Sequence, residues 1–377
     1  MRRRQVGFSM VELMVGIVIA IVVVVIVMQA LAVFENQKRA TTGGSDSSIN
    51  GALALFQVGR DARMAGFGLM SPTGLLCPLG INIYYNGTTA SDGQVLSPIL
   101  IADGASGVPD TIRFARSDSS YGLAPTTIVK NMPNASSIVT ANRGAGLLQG
   151  AMFLVGAADG SKVCTLMQMS QDPQATGNGW NLQHNPGGSY PWNPSNPNNV
   201  FTNAPTYVVG DVVQSMGNFG ISTYAIQCND NAAPSDANSC DLVQYNPVTA
   251  GATINWANAN LNHVASQVVD MQAQYGIAAA GDATGTVTDW VDATGATWGA
   301  PSAANMLRIK AIRVAVVARA SKYEKTAVSP STLVLWPAST SPTGTQKTTT
   351  LSTAQQHDRY QVFYQVIPLI NMIWANV

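Results

Sequence analysis

The chain begins MRRRQVGFSMVELMVGIVIAIVVVVIVMQA (residues 1–30), a basic segment followed by a long apolar run. Among the 22 residues from Leu13 to Phe34, the only polar side chain is that of Gln29. A helix of this length spans about 33 Å, enough to cross the hydrocarbon core of a bilayer. The three arginines at 2–4 predict a cytoplasmic amino end, with the bulk of the chain on the far side. A secretory signal peptide fits less well, because the run is too long and no small-x-small cleavage site follows it.

Composition narrows the kind of protein that this segment anchors. The 377 residues include 20 basic and 20 acidic side chains, so the formal charge is zero and only 11% of residues are charged. There is no basic field that would favour nucleic acid and no acidic tail. Polarity comes instead from Asn, Ser, Thr, Gln and Gly, which favours a β-rich extracytoplasmic domain with long loops. We therefore expect no direct binding of nucleic acid.

Four cysteines follow the apolar run: Cys77, Cys164, Cys228 and Cys240. They fall in the part of the chain that we expect to lie in an oxidising compartment. Four cysteines permit three pairings, and the sequence does not choose among them. The short segment from Cys228 to Cys240 favours local closure, so we expect that bond, together with a bond between Cys77 and Cys164. A metal site is the weaker alternative, because no Cys-x-x-Cys occurs and the three histidines lack ligand spacing.

Signatures of enzymatic chemistry are missing from the sequence. It contains no P-loop, no His-Glu-x-x-His and no nucleophile elbow. Segments 103–110 and 282–285 hold acidic residues among glycines, but neither has the alternating ligands and terminal Glu of a calcium loop. Turn chemistry explains both segments. We therefore expect no enzymatic activity, no bound metal and no cofactor.

One carboxylate stands out, that of Glu12 at the head of the apolar run. The helix dipole favours an acidic side chain in a first turn by only about 0.3–1 kcal/mol. Within a membrane helix an acidic side chain costs about 2.5–3.5 kcal/mol at the centre and less near an end. We therefore expect a positive partner, such as the amino terminus of a neighbouring subunit in a helical bundle.

The stretch GFSMVEL, residues 7–13, resembles the prepilin processing signature of type IV pilins and type II secretion pseudopilins. The resemblance implies that a membrane-embedded prepilin peptidase cleaves after Gly7 and that the new amino-terminal residue, Phe8, is N-methylated. It also implies that Glu12 is the acidic residue of the mature helix and serves subunit assembly. Gly7 suits such a site, because a protease can approach its backbone closely.

Further segments resemble PilW-like minor pilins. The stretch FQVGRDARMAGFG, residues 56–68, is similar to the family's "RDxRxAGF" end of the first helix. Segments 263–276 and 309–319 are similar to its "V…I..MQ..YG" and "V.aVRv.lv.Rs" strands. Segment 358–371 is similar to its "yR..v…ipLRN" close, with Ile370 where the family often has Arg. The segments share the family's order, whereas the region of about 120–262 is largely unmatched.

The resemblance implies a pilin-like α+β fold, in which a long amino-terminal α-helix packs on an antiparallel β-sheet domain with long loops. Four parts are expected. A basic leader, 1–7, is removed on maturation, and residues 8–34 form the transmembrane and assembly helix. Residues 35–68 continue it as an amphipathic helix, and residues 69–377 form a β-rich periplasmic or extracellular domain.

Two features are predicted within the helix. The stretch TTGGSD, residues 41–46, predicts a kink or unwound joint, because each Gly in a helix interior costs about 1 kcal/mol relative to Ala. Ser45 or Asp46 would then cap the second half. An apolar stripe at i, i+3, i+4 and i+7 is expected to face a sheet; it comprises Ile49, Ala52, Leu53, Phe56 and Arg60.

In the domain that follows, alternation of apolar and polar residues predicts strands within 111–116, 308–314 and 361–367. Segment 178–205 includes HNPGGSYPWNPSNPNN, which predicts an exposed loop without regular structure. Its two aromatic residues, Tyr190 and Trp192, are expected to pack the loop onto the body. The alternative is contact with a partner or a glycan.

These observations favour a structural function, that of a minor pilin in the initiation and tip assembly of type IV pili. The resemblance implies contacts with other minor pilins and the major pilin, and display of a large tip adhesin, with motility and adhesion as consequences. The protein would lie in the bacterial inner membrane before assembly and in the pilus afterwards. One alternative is a minor pseudopilin of a type II secretion system, which shares the features of the first 40 residues. A membrane-tethered periplasmic enzyme or binding protein is the other, with no residue constellation to support it.

Overall fold

The structure is a computed structural model. It describes residues 9–71, 74–104, 107–119, 124–134, 136–228, 240–250, 261–282, 284–321 and 323–376. The predicted leader with Gly7, the predicted amino-terminal Phe8 and the residues between Cys228 and Cys240 lie outside the described residues.

A single helix, α1 (Met10–Met64), forms the amino-terminal part of the described chain. Its 55 residues correspond to a length of about 80 Å. The helix is continuous through Gly43 and Gly44, so the predicted joint at 41–46 is wrong. Ser45 and Asp46 accordingly lie inside the helix and cap nothing.

Side-chain hydrogen bonds and close packing account for this continuity. Thr41 Oγ1 donates to the carbonyl of Gln37 at 2.9 Å, and Ser48 Oγ donates to that of Gly44 at 2.8 Å. Hydroxyls bonded in this way occupy the helix's own carbonyls instead of competing for a turn. A Cβ at Gly43 would lie 3.1 Å from the Cβ of Ala320. The glycine therefore lets α1 approach the β-domain closely.

Beyond α1 the described chain consists mostly of short strands. The first twelve are β1 (Met70–Ser71), β2 (Gly74–Leu75), β3 (Ile81–Tyr85), β4 (Thr88–Gln94), β5 (Ile99–Ala102), β6 (Thr111–Arg116), β7 (Thr126–Asn134), β8 (Ser137–Thr140), β9 (Met152–Gly156), β10 (Cys164–Gln168), β11 (Gln174–Thr176) and β12 (Gly179–Gln183). The next twelve are β13 (Val212–Gly217), β14 (Gly220–Cys228), β15 (Cys240–Tyr245), β16 (Asn262–Ser266), β17 (Val268–Ile277), β18 (Asp289–Val291), β19 (Ile309–Arg319), β20 (Thr332–Trp336), β21 (Ser339–Thr340), β22 (Thr343–Gly344), β23 (Lys347–Thr350) and β24 (Tyr360–Pro368).

Short helical segments connect these strands. They are α2 (Pro197–Val200), α3 (Pro247–Ala250), α4 (Gly295–Trp298), α5 (Ala303–Arg308) and α6 (Ile370–Ile373), with 3-10 turns at Gln355–His357 and Trp374–Asn376.

The strands form three larger sheets and two small pairs. One sheet has nine strands in the order β11-β12-β8-β7-β13-β9-β10-β3-β4, and a second has five in the order β16-β15-β14-β6-β5. A third has six strands in the order β21-β22-β18-β17-β19-β24, and the pairs are β1-β2 and β20-β23. Pairing is antiparallel except between β3 and β10 and between β18 and β22. The predicted α+β architecture, a long helix followed by a β-rich domain, is confirmed.

The main core lies where the second half of α1 meets the five- and six-stranded sheets. The helix supplies buried Ala54, Leu55, Val58, Ala62 and Ala65. Residues from β5, β6, β14 and β15 close one side, and residues from β17, β19 and β24 close the other. Small residues on the helix and large ones on the strands allow this close approach, since a Cβ at Gly51 would lie 2.1 Å from the ring of Phe363.

The buried face of α1 is not the predicted one. Ile49 is 62% exposed and Phe56 is 63% exposed, and Ala52, Leu53 and Arg60 are exposed as well. The sheet packs instead on the row of small residues on the opposite side. The expectation that the apolar stripe faces the sheet is therefore wrong, because a helix pressed against β24 at this distance accommodates Gly and Ala but not Ile and Phe.

The predicted strands at 111–116 and 361–367 are confirmed. Residues 111–116 form β6, and 361–367 lie within β24. Segment 308–314 begins one residue early, since Arg308 ends α5 and β19 starts at Ile309. All eleven residues of β19 are buried, because α1 covers one face while Leu333, Leu335 and Trp336 of β20 pack over the other.

The predicted loop at 178–205 is partly regular. It contains β12 and the short helix α2, so the absence of regular structure was wrongly predicted for 179–183 and 197–200. Trp192 is buried and its ring centre lies 4.8 Å from that of Tyr85. Tyr190 accepts a hydrogen bond from Gln149 Nε2 at 2.6 Å. Both aromatic residues therefore contact the body, as the first of the two alternatives predicted.

Two disulfides link the described chain. Cys77 is bonded to Cys164, with Cα atoms 5.7 Å apart, and Cys228 is bonded to Cys240, with Cα atoms 4.1 Å apart. The first ties the segment after β2 to β10 of the nine-stranded sheet. The second joins the ends of β14 and β15, where these two residues are cross-strand partners. These are the pairs that the sequence led us to expect.

We expect the Cys228–Cys240 bond to contribute measurably to stability. Chain-entropy arguments give about 3 kcal/mol for closing a loop of this size. A Cys228→Ser, Cys240→Ser double variant should therefore melt at a lower temperature than the wild type when both are exported by the native host. Peptide mapping without reductant checks the pairing directly. Free thiols at both positions in the wild-type protein would contradict it.

Candidate assembly surface

The first part of α1 is long and apolar enough to cross a membrane. The segment Met10–Glu35 has 26 residues, and none of them is buried against the rest of the described chain. All side chains of this apolar helix are therefore available to contact lipid or other helices. This segment is the first component of the candidate assembly surface.

Glu12 lies in the first turn of this helix. The helix begins after Ser9, whose side chain makes no capping hydrogen bond. The Glu12 side chain is exposed, and no hydrogen bond or ion pair joins it to another described residue. A carboxylate placed this way gains from the helix dipole and keeps both oxygens available to a cation on another chain.

The other end of α1 is fixed to the β-domain by buried Asp61, which is 1% exposed. Its Oδ2 accepts hydrogen bonds from the Tyr224 hydroxyl at 2.8 Å and from Gln244 Nε2 at 3.0 Å. Its Oδ1 lies 3.2 Å from Nη1 of Arg116 and 3.4 Å from Nε of Arg60. Burial and the nearby Asp61 carboxylate raise the pKa of Tyr224, which keeps the hydroxyl a donor. These contacts hold α1 on β6, β14 and β15.

This anchor could have been found from the sequence. Asp61 lies within the segment 56–68 singled out above, and it follows Val58 at the spacing of one helical turn. An acidic residue on the same face as Val58 and Ala62 signals a buried partner. The predicted apolar stripe lies on the opposite face of the helix.

The opposite side of the same helix carries Ile49, Leu53 and Phe56, which we call the exposed helix face. These residues are 62%, 39% and 63% exposed, respectively. They lie at i, i+4 and i+7 and so share one side of α1. The exposed helix face is a second apolar surface on α1, separated from Met10–Glu35 by the mostly polar residues 36–48.

A second polar cluster was not predicted at all. The guanidinium of Arg313, in β19, lies between two indole rings, 5.1 Å from the centre of Trp290 and 4.7 Å from that of Trp336. Its Nε donates to Gln274 Oε1 at 2.7 Å. Nearby, Lys310 Nζ donates to the carbonyl of Met372 at 2.8 Å. Basic residues in an otherwise apolar strand were the available signal. Lys310 binds the carboxyl-terminal turn at Met372 to the six-stranded sheet, whereas Arg313 joins β17, β18 and β20.

In the segments considered for calcium, the acidic side chains accept hydrogen bonds from backbone N–H groups. Asp110 is buried, and its two carboxylate oxygens accept from the backbone N–H groups of Gly104 at 2.9 Å and Ala273 at 2.7 Å. Burial raises the pKa of Asp110 to about 7, although these hydrogen bonds oppose the shift. Asp282 likewise accepts from the backbone N–H groups of Thr284 and Thr286. Within the described residues, no group of three or more His, Cys, Asp and Glu residues is placed to hold a metal ion.

Comparison with known proteins gives a match in the strands that pack on α1. The chain matches the family model described as Type IV Pilus-assembly protein W over residues 223–371. The match runs from β14 to α6 and so includes β17, β19 and β24, the strands on which α1 packs. No curated protein and no solved structure matches the chain.

The matched strands and the apolar helix are therefore parts of one arrangement, since the matched strands form the surface that buries the second half of α1. Segments 263–276, 309–319 and 358–371, which resembled the family in sequence, supply β17, β19 and β24. Over residues 223–371 the chain is similar to the family described as Type IV Pilus-assembly protein W.

Proposed function

We propose that this protein is a minor pilin that acts in the initiation and tip assembly of type IV pili after processing by prepilin peptidase. The observation that carries the proposal is the membrane-length segment Met10–Glu35, which is apolar and entirely exposed, on a chain that matches a pilus-assembly family. The apolar side chains of such a helix are shielded from water only when lipid or other helices surround it.

Assembly proceeds in this proposal through α1. Before assembly, Met10–Glu35 anchors the protein in the inner membrane, with the β-domain on the periplasmic side. On assembly it leaves lipid for a bundle formed with the helices of other minor pilins and the major pilin. Glu12 then meets the positive amino terminus of Phe8 on a neighbouring subunit. A carboxylate and an ammonium ion attract strongly in a low-dielectric bundle, which fixes the axial register of the helices.

The exposed helix face extends this contact beyond the membrane. Ile49, Leu53 and Phe56 would pack against α1 of an adjacent subunit, because they are exposed apolar side chains on the same helix as the segment that enters the bundle. Asp61 keeps the opposite face on the β-domain, so the two sides of one helix have separate tasks. A large tip adhesin is the further partner in this proposal, displayed by the assembled subunits.

A minor pseudopilin of a type II secretion system would share the amino-terminal helix and Glu12. The family match favours the pilus, since the matching family is described by pilus assembly. A structural role also suits the buried polar clusters, because Asp61 and Arg313 are engaged by neighbouring side chains of their own chain.

Processing gives a direct test. The mature chain is expected to begin at Phe8 with a methylated amino group and, without the three leader arginines, to change from a formal charge of 0 to −3 (17 basic and 20 acidic residues). Mass spectrometry of the amino-terminal peptide of membrane-purified protein measures both. A Gly7→Ile variant should accumulate uncleaved, since a bulky side chain blocks the approach of the peptidase.

A membrane-bound form that begins well beyond residue 34 would contradict the proposal and favour a secreted protein. The protein content of sheared surface fibres distinguishes a type IV pilus subunit from a subunit of a type II secretion system. The mature protein is expected in sheared type IV pili, and its deletion is expected to reduce piliation without reducing type II secretion. The reverse pattern would identify a pseudopilin.

A further inference from the structure

A cleft of about 680 Å³ opens in the β-domain, away from the candidate assembly surface. Its walls come from the β3–β4 hairpin and from residues 247–249, and its floor includes β6 and β14 of the five-stranded sheet. The volume falls within the range of about 300–1,000 Å³ that is typical of small-molecule sites.

A cationic side chain, that of Arg113, lines this cleft. In β6, Ile112 and Phe114 face the core beneath α1, so Arg113 between them takes the opposite face of the sheet. Its Nε is buried and has no hydrogen-bond partner among the described residues. Arg113 takes part in no ion pair among the described residues.

Arg113 is half-buried, and a guanidinium with a buried Nε and no carboxylate partner among the described residues is unusual, because burial penalises charge unless a partner compensates it. Burial lowers the pKa of Arg113, and the hydroxyls of Tyr275 and Tyr245 oppose the shift. The chemistry that would complete this site is therefore an anion.

The neighbouring strand carries a second unsatisfied polar atom. Thr223 of β14 lies directly opposite Arg113 in the sheet and is 4% exposed. Its Oγ1 has no hydrogen-bond partner in the described chain. Cross-strand neighbours have Cβ atoms about 4.5–5.5 Å apart. Two residues that each have an unpartnered polar atom are thus cross-strand neighbours in the sheet that floors the cleft. Buried polar atoms without a partner are few in protein interiors.

The walls of the cleft supply a different kind of contact. Thr88, Thr89, Gln94 and Thr249 bring hydroxyl and amide groups to its lining, and Tyr85 brings an aromatic ring. That ring is held in place by Trp192, 4.8 Å away between centres. Hydroxyl and amide groups suit a ligand with several hydroxyls, and an aromatic ring suits the apolar face of a sugar ring. Among the described residues, no Asp or Glu lines the cleft to repel an anion.

We propose that this cleft binds a sugar acid, meaning a hydroxylated ring of one or two units that bears a carboxylate. The carboxylate pairs with the guanidinium of Arg113, where a charge-assisted hydrogen bond satisfies Nε. The ring lies beside Tyr85, and its hydroxyls reach the threonines of the hairpin. This binding site is separate from α1 and does not depend on the proposed role in pilus assembly.

The test uses the full-length chain in micelles of an uncharged detergent, with D-glucuronate as the probe and binding measured by calorimetry. We expect a Kd of about 1 mM or tighter. D-Glucose, which lacks the carboxylate, and acetate, which lacks the ring, should each bind about tenfold more weakly or worse, since each removes one half of the recognition.

Two variants locate the site. Arg113→Gln should weaken glucuronate binding about tenfold or more, because it removes the charge that pairs with the carboxylate. Thr88→Trp should weaken it as well, because Thr88 is exposed at the rim and a larger side chain fills the opening. Arg143→Gln, at an exposed arginine elsewhere, is the matched control and should bind like the wild type.

Folding is checked by melting temperature. Arg113→Gln removes a half-buried charge that has no ion-pair partner among the described residues, so it should melt at or above the wild-type temperature. Thr88→Trp decides the question should Arg113→Gln fail to fold. The proposal is overturned when the wild type shows no glucuronate binding at about 10 mM, ten times the expected Kd. Equal binding of glucose or acetate, or unchanged binding in a folded site variant, overturns it too.

Discussion

We expect a Glu12→Val variant to be cleaved and methylated at Phe8 but to be missing from sheared pili. Recognition by the peptidase depends on the leader and Gly7, which the substitution leaves alone. Insertion should persist or improve, since an acidic side chain in a membrane helix is unfavourable by up to about 2.5–3.5 kcal/mol. The loss falls on assembly, because a neighbour's ammonium group then has no carboxylate to meet in the helical bundle.

The measurement is a paired assay in a strain that lacks the wild-type gene. Immunoblots compare the amount of processed protein in membranes with the amount in the sheared pilus fraction, and piliation is counted by electron microscopy. The ratio of pilus-associated to membrane-bound protein should fall about tenfold or more, the change that loss of a single charge-assisted contact of about 1.4 kcal/mol or more produces.

Glu35→Gln is the matched control, since Glu35 is an exposed carboxylate at the other end of the same apolar segment. It should enter pili like the wild type, because it lies where the helix leaves the membrane. Normal entry of Glu12→Val into pili, with restored piliation, would reduce Glu12 to a residue that merely favours the start of a helix.

The second large effect is expected at Asp61. Asp61→Asn removes the charge that faces Arg116 and weakens the hydrogen bonds from Tyr224 and Gln244. Removing one member of a buried ion pair costs about 3–5 kcal/mol, because the remaining charge stays buried without compensation. The Arg116 side chain retains 22% exposure, so the lower part of that range applies. Thermal melting of the full-length protein in uncharged detergent, followed by circular dichroism, measures the change.

Asp46→Asn provides the comparison on the same helix, since Asp46 is exposed and lies away from the β-domain. It should change the melting temperature by no more than a surface substitution does, about ±0.5 kcal/mol in free energy of unfolding. Similar melting of both variants and the wild type would show that Asp61 does not hold α1 on the sheets. Limited proteolysis gives a second readout, because a loosened α1 exposes the backbone around Gly66, whose N–H now donates to Ala115.

The two predictions concern opposite ends of one helix. Glu12 lies on a segment without contacts to its own domain, and Asp61 lies on the face that the domain buries. Loss of the first is expected to leave the folded chain intact and to impair assembly. Loss of the second is expected to weaken the fold, and assembly only as a consequence.

Much of the architecture could be read from the sequence because the signals are local. The apolar run predicts α1, since only a helix satisfies its own backbone hydrogen bonds in lipid. Alternation predicted β6 and β24, because side chains in a strand point to opposite faces. The calcium-like segments were predicted to be turns for the same local reason, and Asp282 makes the expected contacts.

Where prediction failed, the deciding contacts came from distant parts of the chain. The glycines at 43 and 44 looked like a helix break, yet Gly43 lies against Ala320 and Gly51 against Phe363. Propensity alone makes such glycines unfavourable. Close packing against residues that follow more than 250 positions later favours glycine at 43 and 51, whereas a Cβ at Gly44 would meet nothing within 4 Å. No local pattern predicts such contacts.

The sequence by itself determined that the chain has one membrane-length helix, a β-rich remainder, and cysteines beyond the anchor. Only the tertiary structure decided which side of α1 is buried. Hydrophobic periodicity selected Ile49 and Phe56, whereas the sheets cover Ala54 and Val58. Periodicity reports how much apolar surface a helix has, but the distance of approach decides which residues fit. At close range dispersion contacts with small side chains prevail, and the larger apolar side chains remain on the outer face.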